Sequence, residues 1–240
     1  MNRSRSMVVV SAHAADFVWR AGGAIALHTE AGGSAVVISL SYGENGESGD
    51  LWRVPDQTVE AVKEHRHREA SAAAGALGAE FVPLDLGDYP LEVSQEALSK
   101  LVSLYVDHQP DVLLVHAPED PFNPDHPVAS AVAQKARLLA MGAGGVPASF
   151  ETIPPPVTYA FEPHQPDLCS FKPDTFVDVT SIWPIKKSAM EKMAAQSYLQ
   201  DHYQRRAEQR AFQARYVGFG SDVTHVEAFQ RLVPERRERL

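Results

Sequence analysis

The sequence predicts an α/β fold: a Rossmann-like, doubly wound, mostly parallel sheet with helices on both faces, forming a three-layer sandwich. Three observations carry this expectation. Four short apolar runs read as strands buried on both faces, the mark of a parallel sheet. A helical pattern follows each run in turn, and right-handed crossovers then set the strands parallel. The chain has 240 residues, of which 44% are hydrophobic, enough for a sizeable core without disulfides.

In order, Met7-Val8-Val9-Val10 opens a first strand over 7–11, with three of these four residues β-branched. A helix over 18–31 stops at Gly32-Gly33. Ser34–Leu40 is the second strand, and residues 41–50, rich in glycine and carboxylates, form the loop after it. Residues 57–78 are helical, with Val59, Val62, Ala70, Ala73, Ala74 and Leu77 on an apolar side and a solvated face paired as in Glu64–Arg68. Glu80–Leu84 is the third strand, 85–90 a loop, and 94–107 a helix. Asp111–His116 is the fourth strand, with His116 at its C-terminal end. Four prolines stiffen the loop 117–127 before a helix over 128–141. The rhythm breaks in the Gly/Pro-rich stretch 142–156. Val157–Phe161 and Thr175–Val179 read as fifth and sixth strands, and 180–215 as charged helix. The last stretch, ending Glu235–Leu240, reads as a solvated tail or subunit contact. One domain over 1–240 is expected, with a core at about 7–142 and a C-terminal completion over about 143–240.

The formal charge of −9 argues against general nucleic-acid binding, which needs a basic face. Any cations that hold an anionic substrate must therefore be local. Cys169 is the single cysteine, which excludes a disulfide framework and a cysteine-type zinc site and fits a reducing cytoplasm. The apolar stretch after Met1–Arg5 is too short for a signal peptide or membrane span. The glycines form neither a GxGxxG nor a Walker pattern, so no nucleotide site is read.

The chemistry gathers at strand ends, where open α/β sheets bind ligands. His13 and Asp16 lie between the first strand and its helix, and Asp125-His126 opens the helix after the fourth strand. Asp16 as a helix cap and His13 as a satisfied core histidine is the bland alternative. Together, His13, Asp16 and His126 offer two imidazoles and one carboxylate with positions left open, the pattern of a catalytic zinc. The same set suits Fe(II) or another divalent metal. Asp125 is placed to orient a ligand from behind.

Ala12-His13-Ala14-Ala15-Asp16, the Gly22-Gly23 pair, Arg66-x-x-Glu69 with Leu77-Gly78, and Asn123-Pro124-Asp125-His126 resemble the PIG-L/LmbE-like family of zinc-dependent N-deacetylases over at least residues 7–135. The resemblance implies that the three metal positions are intact. It also exposes three departures: Ala15 stands at the family's usual general base, Asn123 at its usual acid or oxyanion partner, and Phe17 where an acidic residue often follows the first motif. Amide hydrolysis needs a base for water and an acid for the amine, and alanine is neither. Over the whole chain the sequence is similar to a branch of that family, the 4-oxalomesaconate hydratases. The segments that carry this are Ser11–Gly23, the Gly43-Glu44-x-Gly46-Glu47-Ser48 loop and Tyr159–Pro166.

This second resemblance implies addition of water to a tricarboxylic oxo-acid, giving 4-carboxy-4-hydroxy-2-oxoadipate in bacterial gallate or protocatechuate degradation. Such a hydration needs a sink for enolate charge, a base for water and an acid for carbon. The metal fills the first role. Glu47 and His164 are the proton-transfer candidates, with Glu44 as a competing carboxylate. Arg20, where the family usually carries glycine, is the first candidate for a substrate carboxylate. Arg53, Arg66 and Asn123 are further substrate contacts. A homo-oligomer acting on a small molecule is expected, with neither nucleic acid nor membrane as partner. The alternatives are an N-deacetylase with another base and a non-catalytic metal- or ligand-binding domain.

Overall fold

The computed structural model describes residues 5–144 and 151–234. Seven strands form one sheet in the order β3-β2-β1-β4-β5-β7-β6. They are β1 (Ser6–Ser11), β2 (Ser34–Ser39), β3 (Glu80–Pro83), β4 (Val112–Val115), β5 (Val157–Phe161), β6 (Thr175–Asp178) and β7 (Val226–Arg231). The first five pair in parallel, while β7 runs antiparallel to both β5 and β6. The helices are α1 (Asp16–Glu30), α2 (Val59–Ala76), α3 (Gln95–His108), α4 (Asp125–Met141), α5 (Trp183–Glu191) and α6 (Gln200–Ala214).

Alternation along β1 and β2 splits the core into two layers. Met7, Val9 and Val37 face a cluster with α1, α2, α5 and α6. Val8, Val10, Val36 and Ile38 face a cluster with α3 and α4. All six residues of β1 are buried, which is why its apolar run is continuous. Ser94 and Thr58 cap α3 and α2, accepting the backbone N–H groups of Ala97 and Ala61. The strand order reverses direction between β1 and β4, so their C-terminal ends open the crevice that holds the site.

Two expectations change on the C-terminal side. The helix expected over 180–215 is interrupted by a tight turn over Ala194–Leu199, with Gln196 at non-helical φ −130° and ψ 33°. The stretch expected to end as a tail supplies β7, inserted between β5 and β6. Glu227 on β7 is buried because its carboxylate accepts the Gly23 and Ala24 N–H groups of α1 at 2.7 and 2.8 Å and pairs with Lys186. Residues 235–240, and 145–150 of the Gly/Pro-rich stretch, lie outside the described residues.

Candidate metal centre and active-site cleft

The chain turns sharply after β1. The His13 N–H donates to Asp16 Oδ2 at 2.8 Å, so one turn presents both side chains at the sheet edge. Asp16 is the first residue of α1, where a carboxylate favours the helix terminus. The start of α4 brings His126 to the same place. The donor atoms of His13, Asp16, Glu47 and His126 all lie within 4.8 Å of one another.

Hydrogen-bond accounting at the two imidazoles fits a metal. His13 Nε2 donates to Asp125 Oδ2 at 3.1 Å, and His126 Nδ1 donates to Asp120 Oδ2 at 2.8 Å. Their other nitrogens, His13 Nδ1 and His126 Nε2, are buried without a hydrogen-bond partner. His13 Nδ1 stands 3.3 Å from Glu47 Oε1, and His126 Nε2 stands 3.5 Å from Asp16 Oδ1. Two imidazoles with their outer nitrogens on carboxylates and their inner ones facing a shared carboxylate can hold a divalent metal. Charge agrees with this. Burial opposes protonation of His13, yet Glu47, Asp125 and Asp16 outweigh it and raise its pKa well above the ordinary imidazole range. The cluster attracts positive charge.

His116, at the end of β4, is not among these donors. Its Nε2 accepts the Ala12 N–H at 2.9 Å, and its ring stacks on His126 with centroids 4.1 Å apart. Burial, with His126 beside it, pushes its pKa down to about 3, so it is a neutral prop.

A cleft of about 220 Å³ opens over the cluster, lined among others by Arg20, Glu47, Tyr89, Asn123, His164 and Gln196. Glu47 is held at both oxygens: Asn123 Nδ2 donates to Oε1 and Gln196 Nε2 to Oε2, each at 3.1 Å. Glu44 is separated from the cleft, sitting 3.4 Å from Lys63, so the loop presents Glu47 alone. His164 lies near Tyr203 Oη, 3.4 Å away, and stacks on His202. Burial, then the neighbouring His202 and Arg20, push its pKa down to about 4, leaving it neutral near pH 7. Arg20 is buried, its Nη2 is 3.6 Å from Asp16 Oδ1, and its Nε has no hydrogen-bond partner. Ala15 is fully buried in the core on the α1 side and offers nothing to titrate.

Two expected substrate contacts lie elsewhere. The Arg53 side chain is 82% exposed on the loop after β2 and pairs with Asp50, outside the cleft. Arg66 is fully buried, with its three nitrogens spent on Glu69, Gln196 and the Tyr42 carbonyl. It stands behind Gln196 and does not line the cleft. Asn123 does line it, but both amide hydrogens go to protein groups, Glu47 Oε1 and Tyr89 Oη.

Sequence reasoning missed Asp120, Gln196 and Tyr89. Asp120 sits in the proline-stiffened loop six residues before His126, which could have marked it as that histidine's support. Gln196 carried no signal, because its position depends on the break before α6. Tyr89 lies in a loop read only as a connection.

Comparison with known proteins identifies the chain's relatives. A sequence model of the PIG-L family, described as GlcNAc-PI de-N-acetylase, matches residues 8–137. A 4-oxalmesaconate hydratase of Pseudomonas putida KT2440 is 47% identical over 239 residues, covering 98% of this chain and 92% of that protein. The crystal structure of GalB, the 4-carboxy-2-hydroxymuconate hydratase of Pseudomonas putida KT2440, superposes with a TM-score of 0.95 at 46% identity, covering 98% of this chain and 99% of that one. An N,N'-diacetylchitobiose deacetylase of Pyrococcus horikoshii shares the fold, with a TM-score of 0.78 at 18% identity, covering 95% and 84% of the two chains.

Proposed function

The chain belongs to the PIG-L family, and on that premise we propose that it is a metal-dependent hydratase adding water to 4-oxalomesaconate to give 4-carboxy-4-hydroxy-2-oxoadipate. The names of the two hydratase relatives give this substrate as its keto and enol tautomers. One observation carries the reading: position 15 has no proton acceptor, and Glu47 from another loop stands 3.3 Å from the metal-binding His13 instead. The acid–base group has moved while the metal donors remain. The step belongs to bacterial gallate or protocatechuate degradation, and the free Cys169 suits a reducing cytoplasm.

His13 Nδ1, His126 Nε2 and Asp16 would hold the metal, with zinc the best match to two imidazoles and a carboxylate. When bound, it would supply a Lewis acid for an oxygen of the substrate. Arg20, which lines the cleft, is the fixed cation for a substrate carboxylate. Glu47, accepting amide hydrogens at both oxygens, is an oriented base for the attacking water. His164 handles the proton at C5. Neutral in the free cleft, it is the base for the reverse dehydration. Substrate carboxylates offset the Arg20 charge, so their arrival raises its pKa toward the protonated form that hydration needs.

Product identification by NMR tests this reading. Zinc-loaded protein given 4-oxalomesaconate should yield the 4-hydroxy acid, and N-acetyl sugars should yield no amine. Free amine from the sugars with the oxo-acid untouched would make it a deacetylase. No product from either would leave a binding domain.

A further inference from the structure

The Tyr89 phenol lines the cleft beside Glu47 and Asn123. Asn123 Nδ2 divides its hydrogens between Glu47 Oε1 at 3.1 Å and Tyr89 Oη at 2.8 Å. The amide cannot be reversed, because its Oδ1 accepts the Asp125 N–H at 3.0 Å. A phenol oxygen that accepts one hydrogen bond must direct its own hydrogen elsewhere. No protein acceptor meets that hydrogen among the described residues, and Tyr89 lines the cleft.

The placement is enforced. Tyr89 has φ +49°, a left-handed conformation that bulky residues adopt rarely and that clusters at functional sites. Its N–H is held by Asp125 Oδ2 at 2.9 Å, and its ring stacks on His13 with centroids 5.7 Å apart. Residue 46 is glycine, and a Cβ there would overlap the Tyr89 ring. Oη and Glu47 Oε1 are held on two hydrogens of one nitrogen, and both residues line the cleft.

We infer that Tyr89 is a further catalytic residue, forming with Glu47 a donor–acceptor pair that grips the reacting water. Asn123 is the positioning residue that sets the pair. This rests on the hydratase reading. In hydration the water oxygen bonds to C4 as Glu47 takes one of its protons. The C4–C5 π pair moves toward the C6 carboxylate, and the proton from His164 completes C5. Tyr89 keeps its proton throughout and donates to the oxygen that becomes the C4 hydroxyl. In dehydration the same donor stabilises the departing hydroxide.

The test uses the zinc-loaded protein, 4-oxalomesaconate for turnover, and 4-carboxy-2-oxoadipate, a saturated analogue lacking the C4 hydroxyl, for binding by calorimetry. Tyr89→Phe should lower kcat by about 10- to 100-fold, the range for losing one preorganised donor, and leave analogue affinity within about twofold. Asn123→Ala should do the same, and it serves as the second reading if Tyr89→Phe misfolds. Unchanged kcat, or equal losses of turnover and analogue binding, would reduce Tyr89 to a wall and overturn the inference. Wild-type protein that fails to hydrate 4-oxalomesaconate would instead overturn the hydratase reading beneath it.

Discussion

Asp120 gives the sharpest test of how the metal site is built. Its Oδ2 accepts from His126 Nδ1 at 2.8 Å, and its Oδ1 accepts the Phe122 N–H at 3.1 Å. Burial opposes its ionisation, yet the bond from His126 and the charges of His126 and Arg20 outweigh that and lower its pKa. The ionised carboxylate thus fixes which His126 nitrogen carries the proton and turns Nε2 toward Asp16. Asp120→Ala removes a hydrogen bond to a charged group, worth about 1.5–3 kcal/mol. Supports of this kind set metal affinity by about 10- to 100-fold, or about 1.4–2.7 kcal/mol, so the two figures agree. Competition for zinc against a chromophoric chelator should show a loss in that range. Asp120→Asn, which keeps an acceptor without the charge, should lose less. Thermal unfolding of both chelated variants guards against a general loss of structure. Zinc held by folded Asp120→Ala as tightly as by wild type would refute this account of His126.

Three further outcomes follow from the same geometry. Arg66→Ala leaves Glu69 buried and Gln196 unsupported, so urea unfolding should show a loss of about 3–5 kcal/mol; a loss under 1 kcal/mol would contradict the buried pair. Arg20→Met should raise KM for 4-oxalomesaconate by about 10- to 100-fold, while Arg53→Ala, on the solvated loop, should leave it unchanged; the reverse pattern would move the carboxylate contact to Arg53. His164 has a folded pKa of about 4, below its unfolded value near 6.5, so the unfolded chain takes up its proton first and stability present above pH 6.5 drains away as pH falls toward 4. His164→Asn should flatten that part of the Tm-versus-pH curve relative to wild type, and parallel curves would contradict the shift.

The legible parts of this protein were those that local pattern determines. Strands β1, β2 and β4 follow from continuous apolar runs, because a central strand has no solvent face on which to place polar residues. His13, Asp16 and His126 were legible because their chemistry is uncommon at strand ends. Strand β7 was not: Val226-Glu227-Ala228-Phe229 is short and carries a carboxylate that is buried only because α1 and Lys186 meet it from distant sequence. The break over Ala194–Leu199 contains neither glycine nor proline, so no local signal separated α5 from α6. Arg66 was a candidate substrate contact as a cation, and Asn123 by its place in the family motif. Their partners, Glu69 and Gln196 for one and Glu47 and Tyr89 for the other, are fixed by tertiary packing.

The most direct measurement of the central claim follows the ultraviolet absorbance of 4-oxalomesaconate with zinc-loaded protein, with the same protein after chelation, and with zinc-loaded Glu47→Gln. The conjugated chromophore should disappear only with the zinc-loaded wild type. Decay should slow by at least about 100-fold in Glu47→Gln, the lower end for losing a general base. Absorbance that falls equally with and without metal, or that persists with zinc-loaded wild type, would contradict a metal-dependent hydratase built on His13, Asp16, His126 and Glu47.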